Sequence, residues 1–545
     1  MTSVATPAPS NVTPASPSTL SRVMRGTFWL ALKTPVAVVI ALWSIPLTQK
    51  YIGASANGSY VFAWGFGFIQ FVLEFGMASA LQKQMVDAWS RGDRAGVDRT
   101  IACGMNFYAA VSVVQMLVLL GIAYGGLPVK FQNPLVVRLL WVQILTTPFF
   151  GMSAVVGGVL QAARRYEFIP RLELAIIVLR FALLWAGYRS GAPFLLVVVA
   201  QVAVQIGLSL GPSLWVMVKE LGYLPHFRGA RRSDYTAMFQ ISIYLALMQW
   251  SVVLADKVDT VVLGYALTDG DTGFLVTVYQ NVSKPFLQIR QTGWTLAYLV
   301  MPAVVSLAVG GDRDSLVRIK YDGTRLLVAI LTPATLLAGI YAAPFLSLWV
   351  GAGFAPYAHL LRLFLVATLP LMLAVIVQMA IGMGKIRVIA VSALVGSLVN
   401  LPLSYFLTRR IGVAGVIWGT VLTTLVSNLL VPGVYAFKVL EIRYGTFFAR
   451  TLGPPLAGAC ALMAACWAFG SAVPPGPDPI GPPGLARALP FLANLAVGSL
   501  AYLAGYALIP AGRGDVAAVG RKLGEFGRGF AAVGRRVLRR PPLDA

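Results

Sequence analysis

Fourteen runs of roughly 20 mostly apolar residues follow one another along this chain of 545 residues, and about 20 such residues is what an α-helix needs to cross about 30 Å of hydrocarbon. The first covers residues 28–48, the second 60–81, the seventh 239–267, the eighth 272–309 and the last 489–508. Hydrocarbon offers a backbone amide no partner, so each run is predicted to satisfy its own hydrogen bonds as a helix. Composition points the same way: 58% of the residues are hydrophobic and 12% charged, where soluble domains carry about 25% charge.

The formal charge of +23 would suggest nucleic acid in a soluble chain. Here the Lys and Arg residues concentrate in the two termini and in alternate gaps between the runs, the distribution that marks cytoplasmic segments. Both termini are therefore expected on the cytoplasmic side of the membrane, with membrane lipid and not nucleic acid as the partner. No gap between runs reaches the length of about 50 residues that a water-soluble catalytic domain needs, and no GxxxxGK[ST] phosphate loop occurs. Neither an enzyme nor an ATP-driven pump is expected. Cys103, Cys460 and Cys466 lie inside apolar runs and His226 and His359 stand alone, so no disulfide framework, metal site or cofactor is expected either.

The first six runs are echoed by the next six. Gly58-Ser59-Tyr60 opens the second run as Gly273-Phe274 opens the eighth; GDR at 92–94 precedes the third as GDR at 311–313 precedes the ninth; RSGAPFLLVV from Arg189 resembles RIGVAGVIWG from Arg410. Three anchors in order at nearly constant offset predict two parallel six-helix lobes, an architecture in which cargo binds between lobes that rock about it. The organisation read from the chain is a disordered tail over 1–26, lobes over 27–220 and 221–440, an accessory helix pair over 441–510 that contains the linker PPGPDPIGPPG, and a basic amphipathic tail over 511–545.

Ionisable groups inside hydrocarbon cost on the order of 3 kcal/mol and mark function by default. In the eighth run Thr277, Gln280, Lys284, Gln288, Gln291 and Thr295 recur at i, i+3, i+7, i+11, i+14 and i+18, one narrow helical face. Such a stripe either lines a wet cavity or packs polar against polar at a helix interface; Arg290 points away from it. The seventh run carries Asp256, Lys257 and Asp259, read as a structural ion cluster or as a cation or proton site, with one carboxylate placed to pair with Lys284. Lys33 and Glu74 sit at depths that would let them pair across a hairpin, and Arg180 is placed to snorkel toward the cytoplasm.

The central stretch ADKVDTVVLGYALTDGDTGFLVTVYQNVSKPFLQIRQ, followed by YLVMPAVVSLAVGGDRDSL, and the later LVNLPLSYFLTRRIGVAGVIWGT resemble polysaccharide exporters of the MOP superfamily, the Wzx type of lipid-linked oligosaccharide flippase. The resemblance covers residues 25–440. It implies an all-α integral membrane protein of about 14 transmembrane helices, two MATE-like six-helix lobes plus an accessory pair. By alternating access it would move a polyprenyl-diphosphate-linked saccharide to the periplasmic face for surface polysaccharide biosynthesis, alongside a polysaccharide polymerase or glycosyltransferases. In that reading Lys33, Lys257 and Lys284 compensate the diphosphate, Gln280, Gln288 and Gln291 hydrogen-bond sugar hydroxyls, and Glu74, Asp256 and Asp259 serve ion coupling. Two other functions remain open from the residues: a MATE-like multidrug or cation antiporter using those acidic groups, and a membrane-embedded saccharide polymerase or glycosyltransferase.

Overall fold

The computed structural model describes residues 17–165, 168–268, 270–469 and 485–521, and all regular structure among them is helical. In chain order the helices are α1 (Pro17–Ile52), α2 (Ala54–Gly65), α3 (Phe68–Leu73), α4 (Met77–Ser90), α5 (Arg94–Gly121), α6 (Pro134–Ala162), α7 (Phe168–Ser190) and α8 (Phe194–Trp215). They continue with α9 (Arg232–Asp256), α10 (Asp259–Ala266), α11 (Thr272–Tyr298), α12 (Val300–Gly310), α13 (Arg313–Arg318), α14 (Thr324–Ile340), α15 (Ala342–Val350) and α16 (Ala358–Val366). The last are α17 (Ala374–Gly382), α18 (Arg387–Ile411), α19 (Val413–Thr424), α20 (Val431–Val439), α21 (Tyr444–Phe447), α22 (Gly453–Phe469) and α23 (Leu485–Leu508).

Among the described residues, 11 helical stretches are long and apolar enough to cross a membrane, or up to 12 when a bent pair counts as one. Helices α7 and α9, of 23 and 25 residues, stand where the fifth and seventh runs lie. The charges of Arg171, Glu173, Arg180 and Arg189 inside α7 set it apart from its neighbours in hydropathy. Helix α1 begins at Pro17, inside the stretch read as a disordered tail, whose earlier part lies outside the described residues. The Pro/Gly linker at 474–484 also lies outside them, and of the C-terminal tail only a helical stretch to residue 521 is described.

The described chain packs as two compact units. One contains the residues up to Ile52 and Phe66–Gln249; the other contains Gly53–Gly65 and the residues from Trp250 onward. The expected second run is therefore not one straight helix. Ala54–Leu73 and Met77–Ser90 are bent by 47° at the intervening break, where Phe75 (φ 51°) and Gly76 (φ 67°) both take the left-handed conformation, which is uncommon for a bulky residue such as Phe. The eighth run behaves in the opposite way. Pro285 sits inside α11 without ending it, and Pro302 falls in the first turn of α12, where no intrahelical amide is required of it.

The repeated GDR triplet has a local physical role. Gly92 (φ 69°) and Gly311 (φ 73°) end α4 and α12 in the left-handed region, which glycine enters without a Cβ clash. The aspartate that follows caps the next helix: Asp93 accepts from the Gly96 amide at 2.8 Å and Asp312 from the Ser315 amide at 3.0 Å.

The first pair of repeat anchors meets face to face. Within the second unit α2 crosses α11 so closely that a Cβ on Gly58 would stand 1.7 Å from the Gly273 carbonyl oxygen, and one on Gly273 would stand 2.4 Å from the Ser55 carbonyl oxygen. Only residues without side chains allow two membrane helices this approach. Gly58→Ala is expected to force the backbones apart and to destabilise the protein by about 1–3 kcal/mol, read as a lower unfolding temperature in detergent; an unchanged temperature would refute the contact.

Helix α14 anchors the C-terminal segment. Arg325, 6% exposed, donates from Nε and Nη2 to the two carboxylate oxygens of Asp515 at 2.7 and 2.9 Å and from Nη1 to Asp322 at 3.0 Å, while the Tyr506 hydroxyl also donates to Asp515. Burial works to raise the Asp515 carboxyl, but the guanidinium and the hydroxyl outweigh it and hold Asp515 below the usual carboxylate range. A depressed folded value means that the latch stabilises fully above the unfolded value of about 3.9 and is lost as pH falls through the folded one. Asp515→Asn is expected to cost up to about 3 kcal/mol, since a charge in a partly dry site loses its partner. It should also flatten the acid limb of a stability–pH curve; an acid limb identical to that of the parent would dismiss the latch.

Candidate functional site

Helix α11 starts at Asp271, whose carboxylate accepts from the Phe274 amide at 2.9 Å and from Ser55 Oγ at 2.8 Å. One side of α11 supplies the packing face: Phe286 stacks on Phe364 at 4.9 Å between ring centroids, and Tyr279 lies against the same ring. The polar stripe divides into two parts. Thr277 is fully buried and donates to the Ala54 carbonyl at 2.6 Å, and Asn57 Nδ2 donates to Thr277 Oγ1 at 3.1 Å and Gln280 Oε1 at 2.9 Å. The Asp271 end of the stripe is thus a polar helix interface with α2 and not a cavity wall, because Asn57 and Thr277 satisfy one another there. From Lys284 onward the stripe is accessible: Lys284, Gln288, Gln291 and Thr295 are all exposed.

Lys284 lies about 18 Å along α11 from its start, well inside the span. It makes no ion pair with a described residue, and its charged neighbour is a second cation, Lys257, which is exposed in the turn between α9 and α10. The expected pairing of a seventh-run carboxylate with Lys284 is not made by Asp259, and the side chain of Asp256 lies outside the described residues. Two ammonium groups near enough to feel one another repel, and an anion between them relieves the repulsion.

Asp259 belongs to a different group. It is 4% exposed at the start of α10, accepts from the Tyr279 hydroxyl, and accepts from Thr420 Oγ1 at 3.3 Å. The cluster continues across two helices. Asn400 Nδ2 on α18 donates to Thr420 Oγ1 at 3.4 Å and Thr423 Oγ1 at 3.0 Å on α19, and Ser404 Oγ donates to Asn400 Oδ1 at 3.1 Å. Gly419 makes room for it, since a Cβ there would stand 2.2 Å from Ser404 Oγ. Asn400, Ser404, Thr420 and Thr423 were not among the sequence candidates. The available signal was their spacing, i and i+4 on one helix and i and i+3 on the next, in otherwise apolar runs.

In the first unit the expected Lys33–Glu74 pair does not form. Lys33 Nζ bonds Glu173 at 2.7 Å, and Arg171 of α7 lies over the Trp29 ring of α1 at 5.1 Å, so α7 supplies the counter-charge that local depth arguments assigned to Glu74. Glu74 is 8% exposed at the bend after α3. It accepts from the Tyr108 hydroxyl at 2.7 Å. Arg180 Nη1 donates to Gln205 Oε1 on α8 at 2.8 Å. Arg290 lies over the Phe286 ring at 5.2 Å, off the accessible stripe.

No protein-family model matches the chain. It is 24% identical over 447 residues to the uncharacterized membrane protein EpsK of Bacillus subtilis (strain 168), covering 77% of this chain and 84% of that protein. Among solved structures it is similar to the lipid II flippase MurJ in its inward closed conformation, with a TM-score of 0.66, 13% identity, and coverage of 88% of this chain and 98% of that one. It is also similar to a multidrug resistance MATE family transporter of the MOP superfamily in an inward-facing conformation, with a TM-score of 0.61, 12% identity, and coverage of 76% and 99%. The chain is a multi-pass membrane protein with the fold of the MOP superfamily.

Proposed function

We propose that this protein flips a polyprenyl-diphosphate-linked oligosaccharide from the cytoplasmic to the periplasmic face of a bacterial inner membrane, by alternating access, for surface polysaccharide biosynthesis. The observation that carries the reading is the pair of accessible ammonium groups, Lys257 and Lys284, with no carboxylate partner among the described residues. A diphosphate is the anion of a lipid-linked sugar that hydrocarbon excludes most strongly, and charge-assisted hydrogen bonds from two lysines replace part of its hydration. Gln288 and Gln291, exposed one and two turns farther along the same face, are spaced to hydrogen-bond sugar hydroxyls, with the free amide hydrogens of Gln280 on the other side of Lys284. Lys33 is left out of the cargo site because Glu173 holds its ammonium. The likeness to a lipid II flippase supports a lipid-linked cargo.

Ion coupling is assigned to Asp259. A buried carboxylate bonded to the Thr420 hydroxyl, with Asn400 and Ser404 next in the same chain of hydrogen bonds, offers a hard cation oxygen ligands of the kind it prefers. A second reading, export of cationic compounds, draws on the buried Glu74 and on the MATE likeness. Deleting the gene separates the two. The flippase reading expects loss of surface polysaccharide with lipid-linked saccharide accumulating inside and drug susceptibility unchanged; drug sensitivity with normal polysaccharide would replace it with the antiporter.

A further inference from the structure

Outside the polar sites, the second unit carries a long aliphatic groove of about 670 Å³ between α18 and the segment joining α19 to α20. One wall is a stripe at four-residue spacing, Val391, Val395 and Val399, each about half exposed; the other includes Leu422 and Val426. The groove exists because the helix opens into a π-turn over Leu425–Leu430, which widens the gap between the two helices on either side of one tight contact. At that contact a Cβ on Gly396 would stand 2.3 Å from the Ser427 Cβ. The Ser427 carbonyl, released by the π-turn from regular pairing, accepts from Ser392 Oγ at 2.8 Å, so the floor has little polar demand left and suits hydrocarbon.

One end of the groove is charged. Arg387 lines it and Lys385 precedes it; both are exposed and neither makes an ion pair with a described residue. From Val388 to Leu403 the groove extends about 22 Å by helical rise, more than one leaflet's share of a hydrocarbon core of about 30 Å. A cation pair at the mouth of an aliphatic channel one leaflet deep is complementary to an amphiphile with an anionic phosphate head and a hydrocarbon tail.

We propose that this groove binds an anionic glycerophospholipid of the cytoplasmic leaflet, its phosphate on Arg387 and Lys385 and one acyl chain along Val391, Val395 and Val399. The site is separate from the proposed cargo site and independent of the cargo's identity. Its inner wall includes Thr423, whose hydroxyl accepts from Asn400 in the Asp259 cluster. A seated chain therefore braces the two helices that hold the cluster, and the membrane's content of anionic lipid acts on the ion site through that wall.

The test uses the full-length protein reconstituted in vesicles of phosphatidylethanolamine mixed with phosphatidylglycerol, re-extracted in mild detergent, with retained lipid counted by native mass spectrometry. The parent is expected to retain phosphatidylglycerol in preference. Arg387→Ala should lower that preference about five-fold, the effect of one basic side chain near a membrane surface. Val395→Trp, which fills the channel and leaves the charges, should retain neither lipid, and Arg409→Ala, at the far end of α18, should bind as the parent does. Arg387→Ala sits on an exposed helix end and keeps the test available if Val395→Trp does not fold. The proposal is overturned if Arg387→Ala leaves the preference intact, if Arg409→Ala lowers it equally, if Val395→Trp still retains lipid, or if protein from native membranes carries an isoprenoid in place of a glycerophospholipid.

Discussion

Lys284→Ala is expected to lower saccharide export at least ten-fold while the protein accumulates and unfolds as the parent does. The two halves of that expectation have one cause. Lys284 is exposed and pairs with no described carboxylate, so removing its ammonium leaves no buried group without a partner, and the fold loses almost nothing. A charge-assisted hydrogen bond to a phosphate is worth about 1.5–3 kcal/mol, and its loss at the point where the headgroup crosses appears directly in the rate. Lys284→Arg restores the charge with a different donor geometry and should recover part of the activity. Surface polysaccharide measured against protein level in a complemented deletion strain reads both. Full export by Lys284→Ala would remove the lysine pair from the mechanism and the flippase assignment with it.

The second large effect is expected at Asp259. Asp259→Asn keeps the size and an acceptor for Tyr279 and Thr420 but removes the charge, so the protein should fold, with transport no longer responding to a sodium or proton gradient. Asp259→Ala removes the acceptor as well, leaving the Tyr279 hydroxyl buried without it, and should cost a further 1–3 kcal/mol or so of stability. The discriminating measurement is the gradient dependence of transport in vesicles. If Asp259→Asn transports with the parent's dependence on both gradients, the carboxylate is a structural acceptor and coupling lies elsewhere.

What the sequence disclosed follows from where its physics is local. Helices α5 and α6 and the long α11 were legible because lipid imposes one length and one composition on every span. The GDR triplets were legible as repeat anchors because ending one helix and capping the next needs particular residues at particular positions. The break at Phe75 and Gly76 was not, since a bulky residue in the left-handed region is held there by its surroundings and not by its own preference. Partner choice was legible least. Lys33 and Glu74 have matching depths, yet Lys33 bonds Glu173, 140 residues away, and depth along a helix says nothing about which neighbour stands beside it. The Asp259 cluster escaped for another reason: Asn400, Ser404 and Thr420 carry no charge, and an uncharged polar residue in an apolar run leaves hydropathy almost unaltered.

The meeting of Gly58 with Gly273 bears on how such a chain can change over generations. When a segment is duplicated, each copy is ordinarily free to diverge, because the other preserves the ancestral role. Here the two glycines that the sequence reads as one short motif repeated press on each other, so drift at either is checked by the other. A methyl group gained at one position must be answered by retreat at the other, and the pair is expected to vary jointly or stay fixed while the flanking apolar residues exchange freely.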